Sequence, residues 1–154
     1  MSHETLIYGC IVGSTYMPAE YRTLQIRNLE VIEQLPLEFD GYPGICRAMF
    51  SAPPQEAMRG GWESQVIHFG GSFKDIDSGY SELATWIEKF ERLLATLYWL
   101  EAVIHLKTEL MGELKFDYEP AEDISELYVS GTPTPTNKWT RRFFINQSEA
   151  TFNS

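Results

Sequence analysis

His3, His68 and His105 are the histidines of the chain, and Cys10 and Cys46 are its cysteines. Imidazole and thiolate are the groups that bind transition metals or carry nucleophilic catalysis, so their spacing decides what they offer. No two of them stand at i, i+2 or i, i+4, the local pairing that seeds a metal site. His68 and His105 both fall in segments that read as strands, where a distant cysteine or carboxylate would have to complete a metal site. A hydrogen-bonded, partly buried histidine is the simpler reading of His68, which lies between Ile67 and Phe69. Cys46 and His68 form the one formal nucleophile–base pair, on strands expected to be neighbours. A reactive thiol needs an electropositive, accessible setting. Arg47 supplies charge, but the run ICRAMF alternates like core. Neither cysteine has CxxC spacing and both sit in apolar runs, the pattern of reduced, buried cysteines in a cytosol. GxGxxG, Gly-Lys-Ser/Thr and GxSxG do not occur, so neither nucleotide binding nor the commonest hydrolase elbow has positive support. No metal or cofactor is expected.

Carboxylates are the abundant chemistry-bearing group. Glu109, Glu113, Asp117, Glu119, Glu122, Asp123 and Glu126 crowd one stretch against a single base, Lys115. Abundance does not make a site without a shared pocket or a raised pKa. Two readings fit: a solvated hairpin face, or a negative patch that seats on a basic partner protein. Trp62, which opens a strand after Gly60-Gly61, and Trp99, which lies off the main apolar stripe, are the candidate interface anchors.

The elements that must position these residues are partly written in the pattern. Leu6–Val12 reads as a strand and Glu20–Leu35 as a helix ending before Pro36. Ile45–Ala52 and Trp62–Phe69 read as strands, the second loosened at its end by Gly70-Gly71, where a bulge would fit. From Ser81, the residues Leu83, Trp86, Ile87, Phe90, Leu93, Leu94, Leu97 and Tyr98 recur at three and four, with charges on the other face. That is an amphipathic helix of about five turns, with Ser81 or Ser78 as cap and Glu88 placed four residues before Arg92. Ala102–Thr108 and Glu113–Glu119 alternate around Met111-Gly112 as a β-hairpin with one wet face. The order βαββαββ predicts an α+β fold, an antiparallel or mixed sheet covered by two helices, as in the ferredoxin-like split β-α-β with one extra strand. Residues 1–120 read as one domain. Residues 121–154, Pro/Thr-rich and then aromatic and basic, read as an extension docked on it or adding a strand.

Bulk properties narrow the partner. A chain of 154 residues buries about 68–70% of its unfolded surface, enough for one core without staples. Its net charge of −10 repels polyanions, so nucleic acid and anionic membranes are not expected as partners, whereas a basic protein would be steered in. Acidity also serves simple solubility. No leader-like segment opens the sequence and no run reaches the ~18 apolar residues of a membrane span, so a cytoplasmic location is expected.

The segments RAMFSAP (Arg47–Pro53), SQVIHFGGSFKDID (Ser64–Asp77) and WIEKFERLLATLYWLEAVIHLKTELMGELKFDYEP (Trp86–Pro120) resemble small bacterial immunity proteins of polymorphic, Rhs-type toxin systems. The resemblance covers roughly residues 5–120. It implies a non-catalytic protein that binds a cognate toxin domain and occludes its active site. His68, Trp86, Phe90, Trp99 and His105 would then be scaffold. The resemblance itself assigns no contact positions; the residues alone point to the acids named above, with Trp62 and Trp99, as the expected ones. The alternatives are an adaptor or chaperone for a secreted effector, and a small cysteine- or carboxylate-dependent hydrolase built on Cys46 or His68.

Overall fold

The computed structural model describes residues 3–15, 21–39, 41–52, 64–74, 76, 81–121 and 134–152. Seven strands, β1 (Glu4–Thr15), β2 (Phe50–Ser51), β3 (Ser64–Lys74), β4 (Trp99–Thr108), β5 (Glu113–Pro120), β6 (Trp139–Ile145) and β7 (Ser148–Ala150), form one sheet in the order β2-β3-β1-β4-β5-β6-β7. Every neighbouring pair is antiparallel. Two helices, α1 (Tyr21–Glu33) and α2 (Ser81–Leu94), complete the α+β fold. β1 lies between β3 and β4, and β3 between β2 and β1, so β1–α1–β2 and β3–α2–β4 each enclose a strand of the other.

Strand alternation sorts the sheet into two unlike faces. Ile7 and Ile11 of β1, Ile67, Phe69 and Phe73 of β3, Ala102, Ile104 and Leu106 of β4, and Leu114, Phe116 and Tyr118 of β5 point to one side and are buried. They form a single core with Leu83, Trp86, Ile87, Phe90, Leu93 and Leu94 of α2 and Ile32 of α1. Trp86 stacks on Phe90 at 5.5 Å between ring centroids, and Phe90 meets Phe69 at 5.1 Å. Gly9 sits under this cluster: a Cβ there would stand 2.0 Å from the Val103 carbonyl oxygen and 2.8 Å from Cζ of Phe69, so the β4 backbone and the ring together occupy the room a side chain would need.

Several expectations are corrected. α2 stops at Leu94, not Tyr98, and the chain turns into β4 at Trp99. Trp99 fastens the turn: its indole N–H donates to the carbonyls of Leu94 (3.0 Å) and Thr136 (3.2 Å), while the Leu97 N–H also bonds Leu94 O at 3.2 Å. β3 does not end at Gly70-Gly71 but continues to Lys74, pairing Gly70 with Tyr8 and Gly71 with Ile7 without a bulge. The irregularity falls instead at Val12/Thr15 of β1. The strand expected over Ile45–Ala52 is reduced to Phe50–Ser51 because Arg47–Met49 form a 3-10 turn, with Arg47 N–H bonded to Pro36 O. Ser81 Oγ donates to the Glu82 carboxylate, Ser78 lies outside the described residues, and Glu88 does pair with Arg92.

Among the described residues the sheet has seven strands where five were expected, because Trp139–Ile145 and Ser148–Ala150 continue it. β6 pairs with β5 along its length, and Phe143 and Phe152 join the core. Arg141 reaches α2 through a 2.8 Å ion pair with Glu91. The β6–β7 turn, Asn146-Gln147, has positive φ at both residues (46° and 72°) and docks on the β4–β5 turn. Asn146 N–H donates to Glu113 O at 2.8 Å, and Asn146 Oδ1 accepts from Glu113 N–H at 2.9 Å. Two-residue hairpin turns of this geometry favour Asn-Gly. Gln147→Gly is therefore expected to stabilise the fold by about 0.5–1 kcal/mol, since it removes a left-handed side-chain penalty and no bond to Asn146. A thermal melt showing no gain or a loss would contradict this.

Candidate interaction face of the sheet

The second face of the sheet carries no described helix. Across it, the register sets side chains in rows. One row runs His68, Cys10, Val103, Asp117, Arg142; the next runs Gly70, Tyr8, His105, Lys115, Phe144; beyond it stand Leu6, Lys107 and Glu113. Tyr8 is 44% exposed, Leu6 is exposed, and Val12, Val66 and Val103 are half-buried. Tyr8 stacks on His105 at 5.2 Å with an interplanar angle of 19°. Gly70, directly across from Tyr8, leaves the outer flank of the ring bare. Phe144 is flanked by cations, Lys115 at 5.4 Å and Arg142 at 5.0 Å from its centroid.

Two open depressions lie side by side on this face and share His105 and Lys115. One, of about 370 Å³, is bordered by Glu101, Val103, Asp117, Glu119, Thr140 and Arg142. The other, of about 400 Å³, is bordered by Glu113, Phe144 and Gln147. Lys115 pairs with Asp117 at 3.3 Å. Arg142 holds Glu149 through two hydrogen bonds of 3.2 Å; this lowers the carboxyl pKa of Glu149 and raises that of the guanidinium.

The expected site residues separate into groups. Glu113, Asp117 and Glu119 come together on this face. Glu109 does not join them; it lies exposed in the β4–β5 turn, with its carboxylate 3.1 Å from His3 Nδ1. Glu122, Asp123, Glu126 and Trp62 lie outside the described residues. Trp99 is 0% exposed and packs on Trp139 at 5.9 Å, so it is core and not an exposed anchor. Residues passed over in the sequence, Tyr8, Glu101 and Val103, share the face with the acids. Their signal is the alternation within LIYGCIV and WLEAVIHL, masked because both faces of these strands carry apolar side chains.

The catalytic candidates are dispersed. His68 is exposed on the open face, not partly buried, while Cys46 lies in the core with the opposite orientation to the sheet. The Cys46–His68 pair is therefore not formed. Cys10 is the cross-strand neighbour of His68, but burial first, and the Glu101 carboxylate second, push its thiol pKa up. That holds the sulfur as the unreactive thiol. Among the described residues, no group of three or more His, Cys, Asp or Glu is placed to hold a metal ion, and no helix is long and apolar enough to cross a membrane. Compared with family models, curated proteins and solved structures, the chain matches none.

Proposed function

We propose that this chain acts by binding another protein through the open face of its sheet, and that the partner is a cognate toxin domain whose active site is thereby covered in the cytoplasm of the producing cell. The observation that carries this reading is the Tyr8–His105 stack at the centre of a broad exposed sheet face, with Leu6, Val103 and Phe144 around it and charges at its margins. An apolar and aromatic centre with a polar rim is the anatomy of protein interfaces. The likeness of Arg47–Pro120 to immunity proteins and the net charge of −10, which steers basic partners inward, support the same reading. The hydrolase alternative loses its motivating pair, since Cys46 and His68 lie on opposite sides of the sheet.

The toxin module is expected at the C-terminal end of the gene immediately upstream. Cells expressing that module should survive when this chain is co-expressed and die without it, and the two purified proteins should form a stable complex. Death despite soluble co-expression would reject the proposal.

A further inference from the structure

Glu101 and Glu119 occupy one end of the open face. The register that pairs Ala102 with Tyr118 and Val103 with Asp117 brings Glu101 opposite Glu119 at the next step. Both are exposed. Like charges directly opposite across two strands destabilise the pair. Two cations of the face are held in ion pairs, Lys115 by Asp117 and Arg142 by Glu149, and Lys107 stands opposite Glu113 in the register. Among the described residues, no cation lies within ion-pair distance of Glu101 or Glu119. The Arg142 guanidinium is held by Glu149 and feels the Glu119 carboxylate through space without an ion pair to it. Next to this acidic pair, on the same depression, stand Val103 and His105, whose ring stacks on Tyr8. The face is thus sorted: an apolar, aromatic centre with a negative end that, among the described residues, no ion pair closes.

We propose that this half of the face receives a basic segment of the partner protein, with one Arg or Lys side chain lying between Glu101 and Glu119 and an adjacent apolar or aromatic side chain laid on Val103 and the Tyr8–His105 stack. The inference rests on the protein-binding reading above and adds which end of the face engages and by what chemistry. A guanidinium between two carboxylates makes charge-assisted, geometrically specific hydrogen bonds. Buried arginines and aromatics carry most of the binding energy at interfaces. A second copy of this chain fits less well, since two chains of net charge −10 repel each other.

The test has two arms on the full chain. In the first, backbone amide signals are followed by NMR as the tripeptide Ac-Arg-Trp-Arg-NH2 is added, with Ac-Glu-Trp-Glu-NH2 as the charge-reversed probe. The basic peptide should move the signals of residues 101–105 and 117–119, the acidic peptide should not, and ~0.5 M salt should suppress the effect. No movement, or equal movement with both peptides, overturns the proposal. In the second arm, Glu101→Lys/Glu119→Lys and Glu101→Gln/Glu119→Gln proteins are measured against the upstream toxin module. The lysine pair should weaken binding by about tenfold or more, chiefly through slower association, and the glutamine pair by less. Circular dichroism melts confirm that both variants fold. If the wild type protects cells and the lysine variant binds with unchanged affinity, this inference falls while the protein-binding reading stands. If the wild type does not protect, that reading falls and the peptide arm alone decides the inference. Self-association of the wild type that the lysine pair abolishes would overturn it in favour of a second copy.

Discussion

Tyr8→Ala is expected to weaken the proposed complex with a toxin module by about 2 kcal/mol, about 30-fold in Kd, while costing the fold at most about 1 kcal/mol. Tyr8 is large, 44% exposed and already ordered by its stack on His105, so little rotamer freedom is left for binding to remove. Its neighbour across the strands is Gly70, so the ring stands clear of side chains on that flank and offers a flat surface. Truncation removes this platform without opening the core, because Ile7 and Gly9, the residues on either side, face the helices. Titration calorimetry on wild type and variant, with a thermal melt of each, separates the two effects. An unchanged Kd would move the interface off the centre of the sheet.

Asn28→Ala is expected to lower stability by about 3 kcal/mol or more. Asn28 is fully buried in α1 and makes three hydrogen bonds: its Nδ2 donates to Gln65 Oε1 (3.0 Å) and Tyr98 O (2.8 Å), and its Oδ1 accepts from Tyr98 N–H (2.8 Å). Gln65 Nε2 in turn donates to Gln25 O, and Gln25 Nε2 to Ser14 O. The chain of amides ties α1 to β1, β3 and the start of β4. A Cβ at Gly13 would stand 2.8 Å from Gln65 Oε1, so the amides are packed directly on the β1 backbone. Losing Asn28 removes all three of these bonds at a site closed to water and takes the Asn28 donor from Gln65 Oε1, and a buried polar group left without its bond costs about 1–3 kcal/mol. Urea unfolding gives the magnitude; a loss below about 1 kcal/mol would mean that water reaches the network.

The class of fold was readable because local pattern and burial agree. Leu83, Trp86, Ile87, Phe90, Leu93 and Leu94 form one stripe and all six are buried. The β4–β5 hairpin follows the alternation around Met111-Gly112, with Leu114, Phe116 and Tyr118 inward and Glu113 and Glu119 outward. Where sequence reading failed, the deciding contact was distant. Trp99 looked like an off-stripe surface residue, yet its indole is claimed by Leu94 and by Thr136 from beyond the stretch read as a domain. β6 was obscured because it carries rings on both faces, Phe143 in the core and Phe144 outside, while Arg141 turns inward to Glu91. The acids were legible as a type but not as a group. Glu101 belongs with Glu119 through the β4–β5 register, whereas Glu109 is drawn to His3 in the turn, and neither partnership leaves a trace in local spacing.

β1, the earliest of the described strands in chain order, lies inside the sheet, and that bears on timing. β1 cannot be enclosed until both β3 and β4 exist, and the Tyr8–His105 contact joins the two ends of that interval. Folding dominated by such long-range pairing runs in roughly milliseconds to seconds. Synthesis at ~5–20 residues per second occupies roughly 8–30 s for 154 residues. Translation therefore sets the delay before a newly made molecule is competent, and an unfinished chain holds half a platform. Under the proposed function, a cell must keep a finished reserve, because manufacture on demand comes too late.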